Sequence, residues 1–483
     1  FIKQTAEALD KKHHGCMPAP VAILTVASEG LLVDIDAALK IEAQYMTQLV
    51  THPVSKNMIN TFFFQMGEIK SGKSRPEGFP KATFTKVGVL GAGLMGAGIT
   101  YANVMRGIPT ILKDVTMASA LKGKSYTEKL LNKRIEKGLL SAEKRDAILS
   151  LITPTDQISD LQGCDLIIEA VFEKRELKAQ VTKEAEPMLI ANGIFASNTS
   201  TLPITGLALA SNKAANFIGL HFFSPVDKMP LVEIIKGAQT SPETLARAYD
   251  YVMQIGKTPI VVNDSRGFFT SRVFRTFRNE GISMLADGAD PVLIEQASVE
   301  VGMPVGPLAV ADEVSMALSL SVTEQTKLDM KAEGKTYQPH AADAVVDKMV
   351  NILKRPGRAG GGGFYEYPTE GKKFLWPELS RHFGAGTLEI PYQDMKDRIL
   401  FIQAIETIRC MEEGVLESAR DANIGSIMGI GFPKWTGGAI QFVNQYGIEK
   451  FTVRARELAA TYGPRFNPPE LLIEKARAGL RFE

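Results

Sequence analysis

Two side chains stand out because their types are rare within apolar segments. His221 lies in the apolar run 218–223 (IGLHFF), and Glu233 lies in the apolar run 230–235 (PLVEII). A buried carboxylate is costly unless a partner neutralises it. A histidine would supply that partner, and the carboxylate would fix its tautomer and strengthen it as a base. The pair predicts acid–base chemistry, although a histidine in such a run is also compatible with a satisfied core residue.

A second group of residues has the chemistry of phosphate binding. Gly91, Gly93 and Gly96 form a G-x-G-x-x-G pattern after an apolar run and before a helical one. Such glycines permit a tight turn, close approach of a pyrophosphate and close packing of helix on strand. Asp114 ends the next predicted strand, about 20 residues on, where a carboxylate binds ribose hydroxyls and repels a 2′-phosphate. The pattern predicts NAD rather than NADP, and the adjacent Lys113 slightly weakens that preference.

Parallel strands are needed to bring these residues together. From residue 84 onward, short β-rich runs alternate with helical segments, which predicts a doubly wound α/β domain over residues 84–264. Such sheets bind ligands at the carboxyl ends of their strands, where residues 198–201 (NTST) also fall. The predicted strands are 86–90, 110–114, 166–169, 193–197, 216–221 and 231–236.

The remainder of the chain is predicted to be helical, and part of it is repeated. Residues 271–288 (SRVFRTFRNEGISMLADG) align with residues 397–414 (DRILFIQAIETIRCMEEG). Repeats that each expose one apolar face bury it on each other, so the two modules are expected to pack as an internal pseudo-dimer. At the other end, residues 5–13, 34–50 and 55–69 are predicted helices, with Asp34 as an N-cap. The predicted segments are 1–83 (helices and linker), 84–264, 265–367, 368–390 (linker) and 391–483.

The composition excludes several classes of protein. The 483 residues suffice for two to four domains, and 45% hydrophobic with 23% charged residues is ordinary globular composition. With a net charge of +1, the chain lacks the overall excess of positive charge that is typical of nucleic-acid-binding proteins. The three cysteines lie far apart, which predicts neither a disulfide framework nor a metal site and fits a reducing compartment. No apolar run is long enough to span a membrane. Because the first residue is Phe1, the sequence is expected to continue upstream, where a targeting segment would not be visible.

The motifs together resemble a known family. They are GAGLMG (91–96), EAVFE (169–173), SNTST (197–201), GLHFFSPV (219–226) and LVEII (231–235), and they look like those of L-3-hydroxyacyl-CoA dehydrogenases. The helical repeat narrows the resemblance to the α-subunits of multifunctional fatty-acid β-oxidation complexes of the trifunctional-enzyme type. This implies a Rossmann-like NAD-binding domain followed by two homologous helical domains. It also implies a preceding helical remnant of an enoyl-CoA hydratase domain, whose catalytic core this sequence lacks.

The resemblance implies a reaction and assigns roles to residues. The implied reaction is NAD-dependent oxidation of L-3-hydroxyacyl-CoA to 3-ketoacyl-CoA, coupled to hydration in the whole protein. His221 matches the catalytic base, Glu233 the acid that orients it, and Ser200 the serine that contacts the C3 oxygen of the substrate. The residues that match the NAD site are Gly91, Gly93, Met95, Gly96 and Asp114 toward the adenosine, and Val171, Phe172, Glu173, Lys178, Ser200 and Ser224 toward the nicotinamide.

Two positions depart from the commoner pattern of the family. Ser224 and Ser271 stand where asparagines are usual, and Ser271 is kept as a candidate catalytic residue. Long-chain trifunctional α-subunits share both departures. Serine reaches less far than asparagine and has one donor fewer, so its contact differs or runs through water. Short-chain substrates are therefore expected to be handled less well.

The sequence leaves other interpretations open. The basic run 122–137 is typical of a solvated helix face, but Lys133 and Arg134 are also candidates for binding CoA phosphates. A stand-alone 3-hydroxybutyryl-CoA dehydrogenase is an alternative that residues 1–70 disfavour. A catalytically silent NAD- or acyl-CoA-binding scaffold is another, and a hydroxyacid dehydrogenase with a lysine base is a third. The resemblance implies acyl-CoA as substrate and a thiolase β-subunit as partner. It also implies a cytoplasmic location in a bacterium, or a mitochondrial or peroxisomal one in a eukaryote.

Overall fold

The computed structural model of the chain describes residues 2–332, 334–384 and 389–483. They form two compact units. The sheet unit comprises residues 61–272, 410–430 and 483, and the helical unit comprises residues 1–60, 273–409 and 431–482. Within the described ranges, no helix is both long and apolar enough to cross a membrane.

The sheet unit is built on eight strands in the order β3-β2-β1-β4-β5-β6-β7-β8. All neighbouring strands are parallel except β6 and β7, which are antiparallel. Helices cover the strands, and β1 and β6 are buried along their full length. The strands are β1 (Val87–Leu90), β2 (Thr110–Lys113), β3 (Ile152–Thr155), β4 (Cys164–Glu169), β5 (Leu189–Ser197), β6 (Phe217–Phe222), β7 (Leu231–Lys236) and β8 (Thr258–Asn263).

The six predicted strands are present, but the prediction missed β3 and β8. These two strands form the two edges of the sheet, and each contains a proline, Pro154 and Pro259. Proline is confined to edge strands and strand beginnings because it cannot donate to the ladder, and in a sequence it weakens the strand signal. The helices that lie in this unit are Met66–Lys70, Leu94–Val104, Met117–Glu136, Ala142–Ser150, Arg175–Ala185, Ile204–Ala208, Pro242–Gln254 and Ala419–Ile430.

The predicted linker, residues 70–82, has little regular structure but is held firmly. The Arg75 guanidinium donates to both carboxylate oxygens of Asp250, at 2.8 and 2.9 Å. Ser74 donates to Asp421, which belongs to the helix Ala419–Ile430. The segment is therefore an ordered part of the sheet unit.

The helix Ala419–Ile430 lies in the predicted second helical segment, residues 391–483, yet it packs in the sheet unit. A Cβ at Gly425 would lie 2.7 Å from Ile260 and 2.8 Å from the ring of Phe269. A Cβ at Gly429 would lie 3.3 Å from the Thr270 methyl group. The missing side chains at these two helix positions let the helix approach residues 269–270 closely.

The helical unit begins with the N-terminal helices. Predicted helices 5–13 and 34–50 correspond to Ile2–His13 and Ile35–Thr51, and the Asp34 carboxylate caps the latter by accepting from Ala37 N at 2.9 Å. The prediction missed Pro18–Gly30, whose β-branched apolar run lacks helical periodicity. The predicted helix 55–69 is broken by a π-helical turn at Asn60–Gln65, between Pro53–Ile59 and Met66–Lys70.

The rest of this unit is formed mainly by helices of the two repeats. A small antiparallel pair, β9 (Tyr365–Glu366) and β10 (Phe374–Leu375), lies between them in the chain. The helices Thr270–Ala286 and Tyr392–Glu412 also contribute residues to the sheet unit. The remaining helices are Pro291–Glu300, Pro307–Val314, Met316–Ala332, Ala341–Asp347, Leu379–Phe383, Ala439–Tyr446, Ile448–Tyr462 and Glu470–Ala478.

The two repeats contact each other through reciprocal ion pairs. In the alignment of the two repeats, Arg272 is equivalent to Arg398, and Asp287 is equivalent to Glu413. In the helical unit Arg398 Nη2 lies 2.7 Å from Asp287 Oδ2, and in the sheet unit Arg272 Nη1 lies 2.5 Å from Glu413 Oε2. A two-fold interface between equivalent surfaces produces such reciprocal contacts. They agree with the predicted pseudo-dimer, while the predicted domain boundaries remain predictions.

Candidate active site

The antiparallel pairing of β6 and β7 places His221 directly opposite Glu233. The His221 Nδ1 atom lies 2.9 Å from Glu233 Oε2. The Glu233 side chain is fully buried, whereas that of His221 keeps 9% of its surface exposed. The ring of Phe223 packs on the imidazole with a centroid distance of 4.5 Å. Two residues that the sequence singled out thus form a buried pair that retains some access from outside.

Three further donors surround the Glu233 carboxylate. Its Oε1 atom accepts from the backbone N–H groups of Phe269 and Thr270 at 3.0 and 3.1 Å, and its Oε2 atom accepts from the Thr270 hydroxyl at 2.5 Å. With His221 this makes four donors, which suits an ionised carboxylate that acts only as an acceptor. The proton of a neutral imidazole must therefore sit on Nδ1, which leaves Nε2 as the basic nitrogen.

Sequence reasoning missed Thr270 as a member of this site. The signal that could have found it is its place in residues 267–272 (GFFTSR), immediately before Ser271. Phe268, two residues earlier, adopts a positive φ of 51°, a conformation that costs energy for a bulky side chain. The bend there turns the following backbone N–H groups toward Glu233.

A second cluster joins three charged side chains beyond β4. Lys178 Nζ lies 3.0 Å from both carboxylate oxygens of Glu169 and 3.2 Å from Glu173 Oε2, and the lysine is 2% exposed. Burial raises the pKa of Glu169 above its ordinary value. Burial also pushes the pKa of Glu173 upward, but the Lys178 charge and hydrogen bonds bring it below its ordinary value. Glu173 and Lys178 therefore lie side by side, and Lys178 is already bound to two carboxylates.

The loop that carries Ser200 is tied both to this cluster and to the His221 strand. Glu173 Oε1 accepts from the Thr199 hydroxyl at 2.5 Å and from Ser200 N at 3.1 Å. Asn198 Oδ1 accepts from the backbone N–H of Phe222, the residue after His221, at 2.9 Å. The Ser200 loop is thus held at the carboxyl end of β5, next to β6. Of the other predicted serines, Ser224 is exposed in the loop after β6 and Ser271 is partly buried in the first turn of its helix.

The glycine pattern has the geometry of a dinucleotide-binding turn. Gly91 has a φ of +91°, and a Cβ there would lie 2.7 Å from the carbonyl oxygen of Ala170. Gly96 likewise has no room for a side chain, because a Cβ would collide with the carbonyl oxygen of Gly91. Gly93 caps the helix Leu94–Val104, and no atom lies within 4 Å of the position its Cβ would take. That open space at a helix N-terminus fits a pyrophosphate.

Asp114 stands at the end of β2, beside this turn. Its Oδ2 atom accepts from Ala92 N at 2.6 Å, and its Oδ1 atom accepts from Val115 N at 2.7 Å. The carboxylate therefore holds the turn while keeping acceptor capacity for ribose hydroxyls. Met95 is partly buried in the first turn of the helix, Val171 is partly buried after β4, and Phe172 is 82% exposed. The residues at this edge fit NAD.

The helix Met117–Glu136 carries the two basic residues considered for CoA. Lys133 is exposed, and Arg134 has a buried Nε atom without a hydrogen-bond partner in the described part of the chain. A buried donor without a partner is costly, and an anionic ligand would satisfy it. Lys124 on the same helix instead donates to the carbonyl of Ile152 at 3.0 Å, so this lysine has a structural role.

The chain is similar to known proteins over its whole length. The family described as "3-hydroxyacyl-CoA dehydrogenase, NAD binding domain" matches residues 86–265, and the C-terminal domain of 3-hydroxyacyl-CoA dehydrogenase matches residues 267–367. The chain is 35% identical over 488 residues to the fatty acid oxidation complex subunit alpha of Shewanella loihica, covering 100% of this chain and 67% of that protein. The chain belongs to the family of fatty acid oxidation complex α-subunits. It is an NAD-dependent 3-hydroxyacyl-CoA dehydrogenase of fatty acid oxidation.

Solved structures agree with this assignment. The (S)-3-hydroxybutyryl-CoA dehydrogenase of Ralstonia eutropha is 34% identical, with a TM-score of 0.55 over 59% of this chain and 100% of its own. The 3-hydroxybutyryl-CoA dehydrogenase of Escherichia coli has a TM-score of 0.69 over 82% of this chain and 99% of its own, at 22% identity, and shares the fold. The predictions of the family, the Rossmann-like domain with a helical C-terminal part, and NAD are confirmed.

Proposed function

We propose that this dehydrogenase oxidises L-3-hydroxyacyl-CoA to 3-ketoacyl-CoA with His221 as the general base. The observation that carries the proposal is the His221–Glu233 pair, in which the carboxylate orients the ring and Nε2 is left basic. A positioned histidine of this kind contributes about 10²–10⁴ to a rate.

His221 Nε2 takes the proton of the substrate hydroxyl while the C3–H bond breaks. Bound NAD, with Glu173 and Lys178 holding its nicotinamide side, would supply the acceptor for the hydride that leaves C3. Glu233 stabilises the imidazolium that forms, because its Oε2 atom accepts from the protonated Nδ1. The Ser200 hydroxyl donates to the C3 oxygen as it becomes a carbonyl, and Ser271 assists in orienting the substrate.

The residues that would hold cofactor and CoA follow from the same proposal. Gly91, Gly93 and Gly96 would leave room for the pyrophosphate, and Asp114 would bind the adenosine ribose beside Met95. Glu173 and Lys178, already joined at 3.2 Å, would fix the nicotinamide side. The other residues proposed to contact NAD are Val171, Phe172, Ser200 and Ser224, and those proposed to contact CoA phosphates are Lys133 and Arg134.

The domain organisation and partners belong to the same proposal. We infer domains over residues 84–264, 265–367 and 391–483, with residues 1–83 as the tail of a hydratase domain and 368–390 as a linker. The relatives that match this chain carry the name of a complex subunit, which supports an acyl-CoA-processing assembly. We propose a thiolase β-subunit as partner, coupling to enoyl-CoA hydratase in the complete protein, and a reducing compartment, where the three cysteine thiols would stay reduced.

The proposal is tested by NADH oxidation with short- and long-chain 3-ketoacyl-CoA, run beside NADPH. We expect NADH-dependent turnover that is higher with the longer chains, because Ser224 and Ser271 replace the usual asparagines. NADH binding without turnover at any chain length would contradict the proposal and favour a silent NAD-binding scaffold. Turnover confined to the four-carbon substrate would favour a 3-hydroxybutyryl-CoA dehydrogenase.

The selectivity for NADH gives a separate prediction for Asp114. In Asp114→Asn the amide oxygen can keep one of the two backbone hydrogen bonds of the carboxylate, and the charge that repels a 2′-phosphate is lost. We expect the ratio of kcat/KM for NADPH to that for NADH to rise about tenfold, which corresponds to roughly 1.4 kcal/mol. The matched control is Asp146→Asn, whose side chain is 65% exposed on the helix Ala142–Ser150. An unchanged ratio in Asp114→Asn would show that this carboxylate does not select the cofactor.

A further inference from the structure

We propose that Thr270 is a positioning residue that sets how strongly Glu233 holds the Nδ1 proton of His221. The inference rests on the proposed role of His221 as the base and adds a residue that acts on it through Glu233. Thr270 lies at the start of the helix Thr270–Ala286, immediately before the candidate Ser271. It touches the acid–base pair with its backbone and with its side chain.

The contacts of Thr270 converge on one oxygen atom. The Thr270 hydroxyl donates to Glu233 Oε2 at 2.5 Å, and the same oxygen accepts from His221 Nδ1 at 2.9 Å. The hydroxyl lies 3.5 Å from Nδ1 itself, so the three groups form a triangle. Each donor to a carboxylate draws part of its negative charge. The hydroxyl and the imidazole therefore share the charge of one oxygen.

This sharing has a consequence for the base. With the hydroxyl in place, Oε2 orients the ring but stabilises the imidazolium less than an unshared carboxylate oxygen would. In a variant without the hydroxyl, the whole of that oxygen would be left to the ring, so proton release from the imidazolium would need a higher pH than in the wild type. Because the site excludes water around Glu233, which is fully buried, no solvent donor would replace the hydroxyl.

The other charged groups on surrounding elements have partners of their own. Asp264, which follows β8, accepts from the backbone N–H groups of Ile204 and Thr205 at 2.9 and 2.7 Å. Ion pairs also occupy the charged groups on neighbouring elements: Lys236 with Glu417, Arg420 with Asp421 and Glu68, Arg272 with Glu413, Arg75 with Asp250, and Lys178 with Glu169 and Glu173. The Thr270 hydroxyl is thus the side-chain group that shares Oε2 with the histidine.

The packing of Thr270 allows a clean substitution. A Cβ added at Gly429 would lie 3.3 Å from the Thr270 Cγ2 atom, so the methyl group faces the helix Ala419–Ile430 while the hydroxyl faces Glu233. Thr270→Val puts a methyl group where the hydroxyl stood and keeps the shape. Thr270→Ser keeps the hydroxyl and removes the methyl group. The pair of variants separates hydrogen bonding from packing.

The experiment is the pH profile of kcat/KM for hydroxyacyl-CoA oxidation with saturating NAD. In Thr270→Val we expect the acid limb to move to higher pH by about half a unit to one unit, and kcat on the plateau to fall about 3–10-fold. Thr270→Ser should follow the wild-type profile. Thr276→Val is the control, because its hydroxyl donates to Val273 O within the same helix, and its profile should be unchanged.

Several results would overturn the inference. They are a Thr270→Val profile that superimposes on the wild type, a shift to lower pH, or an equal shift in Thr270→Ser or Thr276→Val. Thermal unfolding and NADH binding of each variant, measured in parallel, exclude loss of folded enzyme as the cause. His221→Ala separates the two claims. If that variant retains turnover, the proposed base and this inference both fail; if it is inactive while Thr270→Val is normal, only this inference fails.

Discussion

Replacing His221 with alanine is expected to lower kcat for 3-ketoacyl-CoA reduction by about 10³–10⁴ while leaving NADH binding intact. The loss has two parts, because the variant lacks the proton donor and leaves the buried Glu233 without one of its four hydrogen-bond partners. General acid–base catalysis typically accelerates a reaction by about 10²–10⁴. The buried carboxylate that has lost a hydrogen-bond partner lowers the rate further. Steady-state rates and a fluorescence titration with NADH measure the two quantities separately.

Two controls make this prediction specific. His52→Ala removes a histidine that caps the helix Pro53–Ile59 by accepting from Val54 N, and it should keep wild-type turnover. Glu233→Gln keeps the shape of the acid but removes its charge, so kcat should fall by about 10–10² with NADH affinity retained. If His221→Ala kept more than a tenth of the wild-type kcat, another group would have to act as the base.

The second large effect is expected at Glu280, in the contact between the two repeats. Glu280 is fully buried, and its carboxylate lies 2.6 Å from Arg398 Nε and 2.6 Å from Arg465 Nε. Arg398 is also fully buried, and its Nη2 atom reaches Asp287. Glu280→Gln would leave buried guanidinium charge without enough compensation, which costs about 3–5 kcal/mol of unfolding free energy. Urea unfolding of the variant and the wild type measures the difference.

The stability difference between the wild type and Glu280→Gln should depend on pH in a defined direction. Burial pushes the pKa of Glu280 upward, but Arg398 and Arg465 more than offset this, so it lies below its ordinary value in the folded chain. A carboxyl with a lowered folded pKa stabilises the fold above its unfolded pKa, and that stabilisation is lost as pH falls through the folded pKa. The stability gap between wild type and Glu280→Gln should therefore be widest near neutral pH and shrink in acid.

The matched control uses the same substitution at an exposed ion pair of the same unit. Glu457, which pairs with Arg454 at 3.0 Å, is 56% exposed, so Glu457→Gln should cost less than about 1 kcal/mol. A loss of the same small size in Glu280→Gln would show that the buried pairs do not hold the repeats together.

Features that depend on residues close together in the chain could be predicted from the sequence. Gly91, Gly93 and Gly96 with Asp114 mark a strand–turn–helix unit within about 25 residues, because each position has its own steric or charge requirement. The buried central strands were predictable from continuous apolar runs. The repeat was visible as an alignment of residues 271–288 with 397–414, and it predicted the contact later found as reciprocal ion pairs.

Other features depended on contacts between distant parts of the chain. The edge strands β3 and β8 escaped prediction because a proline at an edge is harmless in the sheet but weakens the pattern in the sequence. The ion pairs of Lys178 with both Glu169 and Glu173 depend on how the loop after β4 folds. The helix Ala419–Ile430 follows the second repeat in the sequence but belongs to the sheet unit in space.

The His221–Glu233 pair shows which features the residue types predict and which depend on the tertiary structure. The sequence gives a histidine and a glutamate on two apolar runs, and those residue types suffice to suggest a base and its partner. Only the antiparallel register of β6 and β7 makes them cross-strand neighbours, since a shift of one residue would turn one of them to the opposite face. Only the bend at Phe268 brings the Thr270 hydroxyl and two backbone N–H groups to the same carboxylate. Residue chemistry is local, but the electrostatics of a buried pair depends on every donor that tertiary packing brings to it.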